Sequence, residues 1–301
     1  MSKRGAAVPL GASLVVLSTM FYASYGIWTK LMGHFFGGYT ASGLRAILVL
    51  LILVPVAAAY GQLEKVRFKK NWHYLLGMTL SSTLVWGPLY FAILKAGVAL
   101  SIALNYAGIV MGMFLFGWML ANERLTRGKW FSALLGLVGL WMVFAPSEHI
   151  TGWLPLFAAF GSGVAGAFNM VLAKKIPYNA TQSTLAIWFT VFVANIPMAL
   201  LLGEHRPAIG WHVQWAYLVC FALASIAASW TFIKGIKLID AGAAGVIGLL
   251  EIVFGVLFGA VFFGERPDRI ALLGAAVIII AAAIPYLKDY EAKRIALKHA
   301  K

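Results

Sequence analysis

Glu251 is the one acid set well inside an apolar stretch of this sequence. A carboxyl placed there could carry a proton through a coupled cycle, receive a substrate ammonium, or serve as a protonated hydrogen-bonding post. Ionisable groups inside such segments mark functional sites by default. Its helical neighbours Ala244, Gly248 and Gly255 are small, so the acid should face other helices. Ser18, Tyr22, Tyr25 and Thr29 follow the spacing i, i+4, i+7, i+11 of one helical face. Thr79, Ser82, Thr83, Trp86 and Tyr90 form a second face beside Gly87-Pro88, a pair that should kink its helix. Further faces carry Ser101, Asn105, Gly108 and Gly112; Ser162, Gly166, Asn169 and Ala173; and Ser225, Ser229 and Phe232. If they meet, they enclose a cavity polar enough for a zwitterion and aromatic enough for an apolar side chain.

Tyr22, Tyr25, Thr83, Trp86, Tyr90, Asn105, Tyr106 and Asn169 are the expected cavity residues. For the serines, close packing and interhelical hydrogen bonds are the stronger reading. For Tyr22, Tyr25, Asn105 and Asn169, packing and substrate contact both stay open, since a buried phenol or amide needs a partner of some kind. Tyr106 lies about 100° from Asn105, so both reach a cavity only if it is wide. Among the deeper tryptophans, Trp86, Trp188 and Trp230, only Trp86 shares a polar face, while most others sit near span ends as an interfacial belt. Gly242, Gly245, Gly248 and Gly255 should make their helix thin and able to pack closely or slide. Arg45 is expected to snorkel to the outer interface.

The composition removes most other chemistry. A chain 62% hydrophobic and 11% charged is far more apolar than a soluble globule. The net charge of +14 is scattered over loops, which suits anionic lipid headgroups and offers no continuous basic face for nucleic acid. The single cysteine, Cys220, allows no internal disulfide. The six histidines lie at or near loops without metal-ligand spacing, so no metal is expected. Gly128-Lys129 lacks the rest of a phosphate-binding loop, and Gly161-Ser162-Gly163 lacks the first glycine of a hydrolase elbow. No cofactor and no enzymatic activity are expected.

The elements that must position these residues are ten apolar stretches, at 10–32, 40–60, 72–94, 98–120, 130–146, 152–173, 183–203, 211–233, 241–263 and 269–287. A bilayer core about 30 Å thick needs about 20 apolar residues per helical crossing, so each can span. With a cytoplasmic N-terminus, 18 of the 24 Lys and Arg residues fall on the cytoplasmic side, as the positive-inside rule requires. The first stretch is too long for a signal peptide and should remain as an anchor. The sequence therefore predicts an all-α, multi-pass membrane protein with both termini in the cytoplasm.

Asn122-Glu123-Arg124 precedes the fifth stretch and Gly264-Glu265-Arg266 the tenth. Lys95 and Lys237 repeat at the same offset, and Lys30 and Lys174 at nearly the same one. The chain divides into halves of five spans, 1–147 and 148–301. An odd number of spans turns the second half upside down, giving inverted repeats around a central cavity, an arrangement that recurs in secondary transporters.

On these residues the chain resembles the drug/metabolite transporter superfamily, specifically its ten-helix EamA-type members. The carriers are the two Glu-Arg loops, the half-and-half layout and Leu249-Leu250-Glu251, where Ile252 stands in place of a proline frequent in the family. The aromatic first half with Asn105-Tyr106 is most similar to YddG-type exporters of aromatic and other neutral amino acids. The resemblance implies a basket of ten helices and export of an amino acid or similar small molecule by alternating access, without ATP hydrolysis; the alternatives are export of other small metabolites or organic cations, or a membrane-embedded scaffold or enzyme that uses the cavity as a binding site. It also favours the structural-post role for Glu251. A monomer surrounded by lipid, in a bacterial-type inner membrane, is the expected form.

Overall fold

The computed structural model describes residues 3–63, 69–144, 152–204, 207–208 and 210–299, with the side chains of 3–6, 90 and 285–299 excepted. Lys65, Arg67, Arg206 and Lys301 of the loop charges, together with the Tyr90 side chain, lie outside that description. Among the described residues the chain is all helix. The elements are α1 (Lys3–Met32), α2 (Gly38–Ala59), α3 (Trp72–Ala96), α4 (Val98–Ala121), α5 (Arg127–Val143), α6 (Trp153–Lys175), α7 (Ala180–Leu201), α8 (Val213–Ile236), α9 (Ala241–Gly248), α10 (Leu250–Phe263) and α11 (Arg269–His299). Among the described residues, eight of the ten expected stretches are long and apolar enough to cross a membrane, Ala241–Phe263 counting as one, and Arg269–Ile284 is a shorter apolar helix.

One departure from the expected spans matters. The ninth stretch is two helices, broken at Leu249. The Leu249 amide donates to the Val246 carbonyl at 3.1 Å and the Ile252 amide to the Leu249 carbonyl at 3.0 Å, tight i to i+3 turns that interrupt the ladder. Three glycines in the eight-residue α9 weaken its helical preference, and the break falls just before Glu251. By contrast α3 passes Gly87-Pro88 without a break.

The duplicated loops fold alike. Asn122 and Gly264 both take the left-handed conformation, at φ 53° and 66°. The Glu123 amide donates to the Gly117 carbonyl and the Glu265 amide to that of Gly259, each at 3.1 Å, closing helix ends with the same wide turn. Each glutamate side chain then folds over that glycine. A Cβ on Gly117 would meet Glu123 Oε2 at 2.7 Å, and one on Gly259 would meet the Glu265 carboxylate.

Helix pairing follows the same exchange. α1 lies along α8 and α6 along α3; α4 lies along α6, and α9 and α10 along α1; α2 pairs with α7 and α5 with α11. Swapping α1 with α6, α2 with α7, α3 with α8, α4 with α9 and α10, and α5 with α11 returns the same set. Small residues permit the approach. A Cβ on Gly139 would lie 2.8 Å from the Gly274 carbonyl oxygen, and one on Gly274 would lie 2.7 Å from that of Gly139. Gly11 faces Gly235 in the same reciprocal manner, and Gly163 packs on the Asn105 carbonyl.

Polar contacts gather the loops at two ends. At one, Gln182 Nε2 donates to Gln62 O at 2.7 Å, Lys237 Nζ to Lys174 O at 3.0 Å, and Lys174 Nζ to Glu123 Oε1 at 2.5 Å, beside a Lys129–Asp240 ion pair. At the other, Lys30 Nζ meets Glu265 Oε1 at 2.7 Å. There the Glu204 carboxylate also accepts the Tyr39 and Thr40 amides at 2.9 and 2.7 Å, capping the start of α2.

Candidate functional site

Between the ends runs a narrow polar and aromatic tract. Its core is a cavity of about 40 Å³ lined by residues that include Tyr22 of α1, Tyr106 and Met113 of α4, Phe232 of α8, Gly248 of α9 and Glu251 of α10. The break at Leu249 brings the Glu251 carboxyl into the first turn of α10, where the Tyr106 hydroxyl is its hydrogen-bonding neighbour. Ligand pockets occupy about 300 Å³ or more. The tract is therefore closed around its polar groups. A larger hollow, about 490 Å³, is lined by Ala12, Val16, Leu17, Met20, Leu250 and Ile279 among others. Its lining is almost wholly apolar, so it offers nothing to orient a polar substrate.

From Tyr22 the aromatic row continues towards the Lys30–Glu265 end. The Tyr22 and Tyr25 rings meet edge to face at 5.2 Å, Tyr22 and Phe232 at 6.2 Å, and Tyr25 and Phe221 at 4.6 Å. Arg45 sits at the end of this row. It was expected to snorkel outward, yet it is only 3% exposed. Its guanidinium carbon lies 4.1 Å from the Phe221 ring centre, 5.0 Å from those of Tyr25 and Trp188, and 5.9 Å from that of Trp86. Ring faces carry partial negative charge, and four of them compete with a water interface for the cation.

The expected cavity residues divide accordingly. Tyr22 and Tyr106 line the cavity, and Tyr25 and Trp86 face Arg45. Thr83 Oγ1 donates to the Thr79 carbonyl one turn back, at 3.1 Å. The two amides are committed to other helices. Asn105 Nδ2 donates to Ser162 Oγ at 2.7 Å, fastening α4 to α6. Asn169 Nδ2 lies 2.9 Å from Met78 O, 3.0 Å from Ser81 Oγ and 2.9 Å from Ser82 Oγ, fastening α6 to α3. Both amides are buried and line neither hollow. Of the packing glycines, a Cβ on Gly242 would lie 3.2 Å from the Phe114 ring and one on Gly245 3.0 Å from the Met113 Cβ. Gly248 and Gly255 do not pack against a neighbouring helix. Nothing lies within 4 Å of a Cβ on either, because the break turns Gly248 to the cavity.

Sequence reasoning missed two features. One is the interior place of Arg45, which the polar Ser42 one turn before it on the same face of α2 could have signalled. The other is that the duplicated lysines and glutamates meet across the halves, Lys174 with Glu123 and Lys30 with Glu265. At the Lys174 end, burial and the neighbouring Lys174 charge push the Lys237 ammonium down to about 8. Among the described residues no cluster of His, Cys, Asp or Glu could hold a metal ion.

The described helices thus form an apolar bundle closed around Glu251, Arg45 and a row of aromatic rings. The model of the EamA-like transporter family matches twice, over residues 9–145 and 153–287, and the chain belongs to that family. An S-adenosylmethionine uptake transporter of Rickettsia bellii is 21% identical over 90% of this chain and 91% of its own length. Solute carrier family 35 member G1 of Mus musculus is 22% identical over 93% of this chain and 79% of its own. A riboflavin transporter of Rhizobium johnstonii is 26% identical over 58% of this chain and 56% of its own. A solved crystal structure covers 96% of this chain and 99% of its own with a TM-score of 0.76 at 18% identity, a likeness of fold.

Proposed function

We propose that this transporter exports neutral, aromatic amino acids by alternating access across a bacterial-type inner membrane, with ten crossings in two inverted halves and both termini in the cytoplasm. The observation that carries the substrate class is the closed tract, in which Glu251 and Arg45 lie along one row of aromatic rings. Such a row accepts an apolar aromatic side chain, the Arg45 guanidinium suits a substrate carboxylate, and Glu251 offers a hydrogen-bonding post further along the row. Support for inversion comes from the helix pairings that exchange with the halves, and from Glu123 and Glu265 lying at opposite ends. The Lys174 end also carries Lys129 and Lys237, which favours it as the cytoplasmic one.

Purified protein in liposomes should move labelled phenylalanine down its gradient. Failure to move any amino acid, with a folded sample, removes this reading. A second reading is supported by the Rickettsia relatives, named for S-adenosylmethionine uptake over nearly the whole chain. S-adenosylmethionine joins an amino-acid zwitterion to an aromatic base, and flux of that compound alone would select it. Orientation is tested separately. Single cysteines in the Glu123-Arg124 and Glu265-Arg266 loops, on a Cys220→Ser background, should react with an impermeant thiol reagent from opposite sides, and reaction from one side refutes the inverted arrangement.

A further inference from the structure

We infer that Arg45, held in its box of aromatic rings, is a receptor for a planar carboxylate, and that Glu251 is a separate post deeper in the tract. The inference rests on the transport reading only for its choice of carboxylate; the geometry stands without it. A guanidinium has five N–H donors and no acceptor, and its fork matches the two oxygens of a carboxylate. Here Arg45 is buried, Nε and Nη1 have no hydrogen-bond partner, and no described carboxylate lies within ion-pair distance. Ring faces neutralise part of the charge but leave those donors unused. Other donors around it are idle too. The Trp28 indole N–H and the Ser42 hydroxyl are buried and unpartnered. Tyr25 and Trp28 pack in one cluster with Phe221, and Ser42 is one turn before Arg45.

A structural arginine in an apolar interior is normally paired, because an unpaired buried charge is strongly unfavourable. Several buried unsatisfied donors gathered around one guanidinium match the acceptor oxygens of an anion. Position adds the second half of the inference. Arg45 is seven residues into α2, about 10 Å from its start, whereas Glu251 lies about 20 Å from the Gly264 end of α10. The charges of one α-amino acid are about 3 Å apart by bond lengths. A single such molecule therefore meets the two posts in turn, with Tyr25 and Tyr22 between them.

The test uses the full chain in detergent, with intrinsic tryptophan fluorescence as the signal because Trp86 and Trp188 flank the guanidinium. Phenylalanine and 3-phenylpropionate should each give a saturable change, and phenethylamine, which lacks the carboxylate, should give none at equal concentration. Arg45→Gln should weaken the carboxylate response at least tenfold, and Arg45→Lys, which lacks the fork, should recover only part of it. Arg45→Met should raise the thermal midpoint of ligand-free protein, since it removes an unpaired buried charge; a fall would mean a structural arginine and overturn the inference. So would an equal response to phenethylamine, a response surviving in Arg45→Gln, the same response to inorganic phosphate, or no response to either carboxylate. Carboxylate binding without liposome flux would sink the transport reading and leave this inference standing. Flux indifferent to the carboxylate would do the reverse.

Discussion

Lys174 and Glu123, from opposite halves of the chain, form an ion pair at 2.5 Å with side chains only 16% and 8% exposed. The same carboxylate accepts the Ala241 amide at 2.7 Å, so it ties α6, the end of α4 and the start of α9 together. The corresponding pair at the other end, Lys30 with Glu265, is 54% and 56% exposed. Removing one partner of a buried pair costs about 3–5 kcal/mol, whereas an exposed pair contributes about 0.2–1 kcal/mol and is screened by salt. Glu123→Gln should therefore lower the thermal midpoint sharply, and Glu265→Gln should barely move it. Equal shifts in the two variants would show that burial does not distinguish these ends.

Glu251 separates a hydrogen-bonding post from a proton carrier. As a post beside Tyr106 it is replaceable by glutamine, which keeps a donor and an acceptor in nearly the same shape. Downhill flux should then survive in Glu251→Gln. Glu251→Leu should lose folded yield or activity, at about 1–3 kcal/mol for the unsatisfied partner. If wild-type protein accumulates substrate under an imposed pH gradient and Glu251→Gln does not, with downhill exchange intact, the carboxyl carries the proton.

Two glycines should fail in different ways. A side chain on Gly163 would run into the Asn105 backbone where α6 crosses α4, so Gly163→Val should give little folded protein. Gly248 has open space towards the cavity, so Gly248→Leu should fold with a near-normal midpoint and yet block flux of every substrate. Size-exclusion yield and liposome flux, measured side by side, check both. Normal flux through Gly248→Leu would place the path elsewhere.

Lys237 gives a signed pH effect. Burial first, and then the neighbouring Lys174 charge, push its ammonium down to about 8 in the folded protein, below the ordinary lysine value of 10.5. Between about pH 8 and 10.5 the unfolded chain binds more protons at this site, so the contribution to stability rises with pH across that window. The thermal midpoint of wild type minus that of Lys237→Met should grow as pH is raised from 7.5 to about 10. A difference that is flat or shrinks would contradict the burial of this amine.

Much of the fold was legible because apolar run length and loop charge are strong one-dimensional signals. The repeated Glu-Arg loops likewise revealed the matching helix ends at Asn122 and Gly264. The site was less legible. Tyr22 and Glu251 were reached from helical spacing and Tyr106 from the Asn105-Tyr106 pair of the family resemblance, but spacing also placed Asn105 and Asn169 on cavity faces. A polar residue on an inward face can serve a neighbouring helix or a cavity, and only the distance between helices decides which. The break at Leu249 was hidden for a related reason. Gly245 and Gly248 are one turn apart on the same short helix, yet one meets Met113 and the other meets nothing.

That break has a mechanical meaning. α4 is one uninterrupted rod from Val98 to Ala121, while the matching stretch of the second half is a jointed limb, α9 and α10, with its elbow at Leu249. A rod displaced at one end moves at the other. A jointed limb can swing its lower segment, beside Asp240 and the Lys174–Glu123 tie, while the upper segment stays latched at Glu265 to Lys30. On the alternating-access cycle proposed above, such slack would let one end open while the other stays shut, so that passage of cargo need not become a leak.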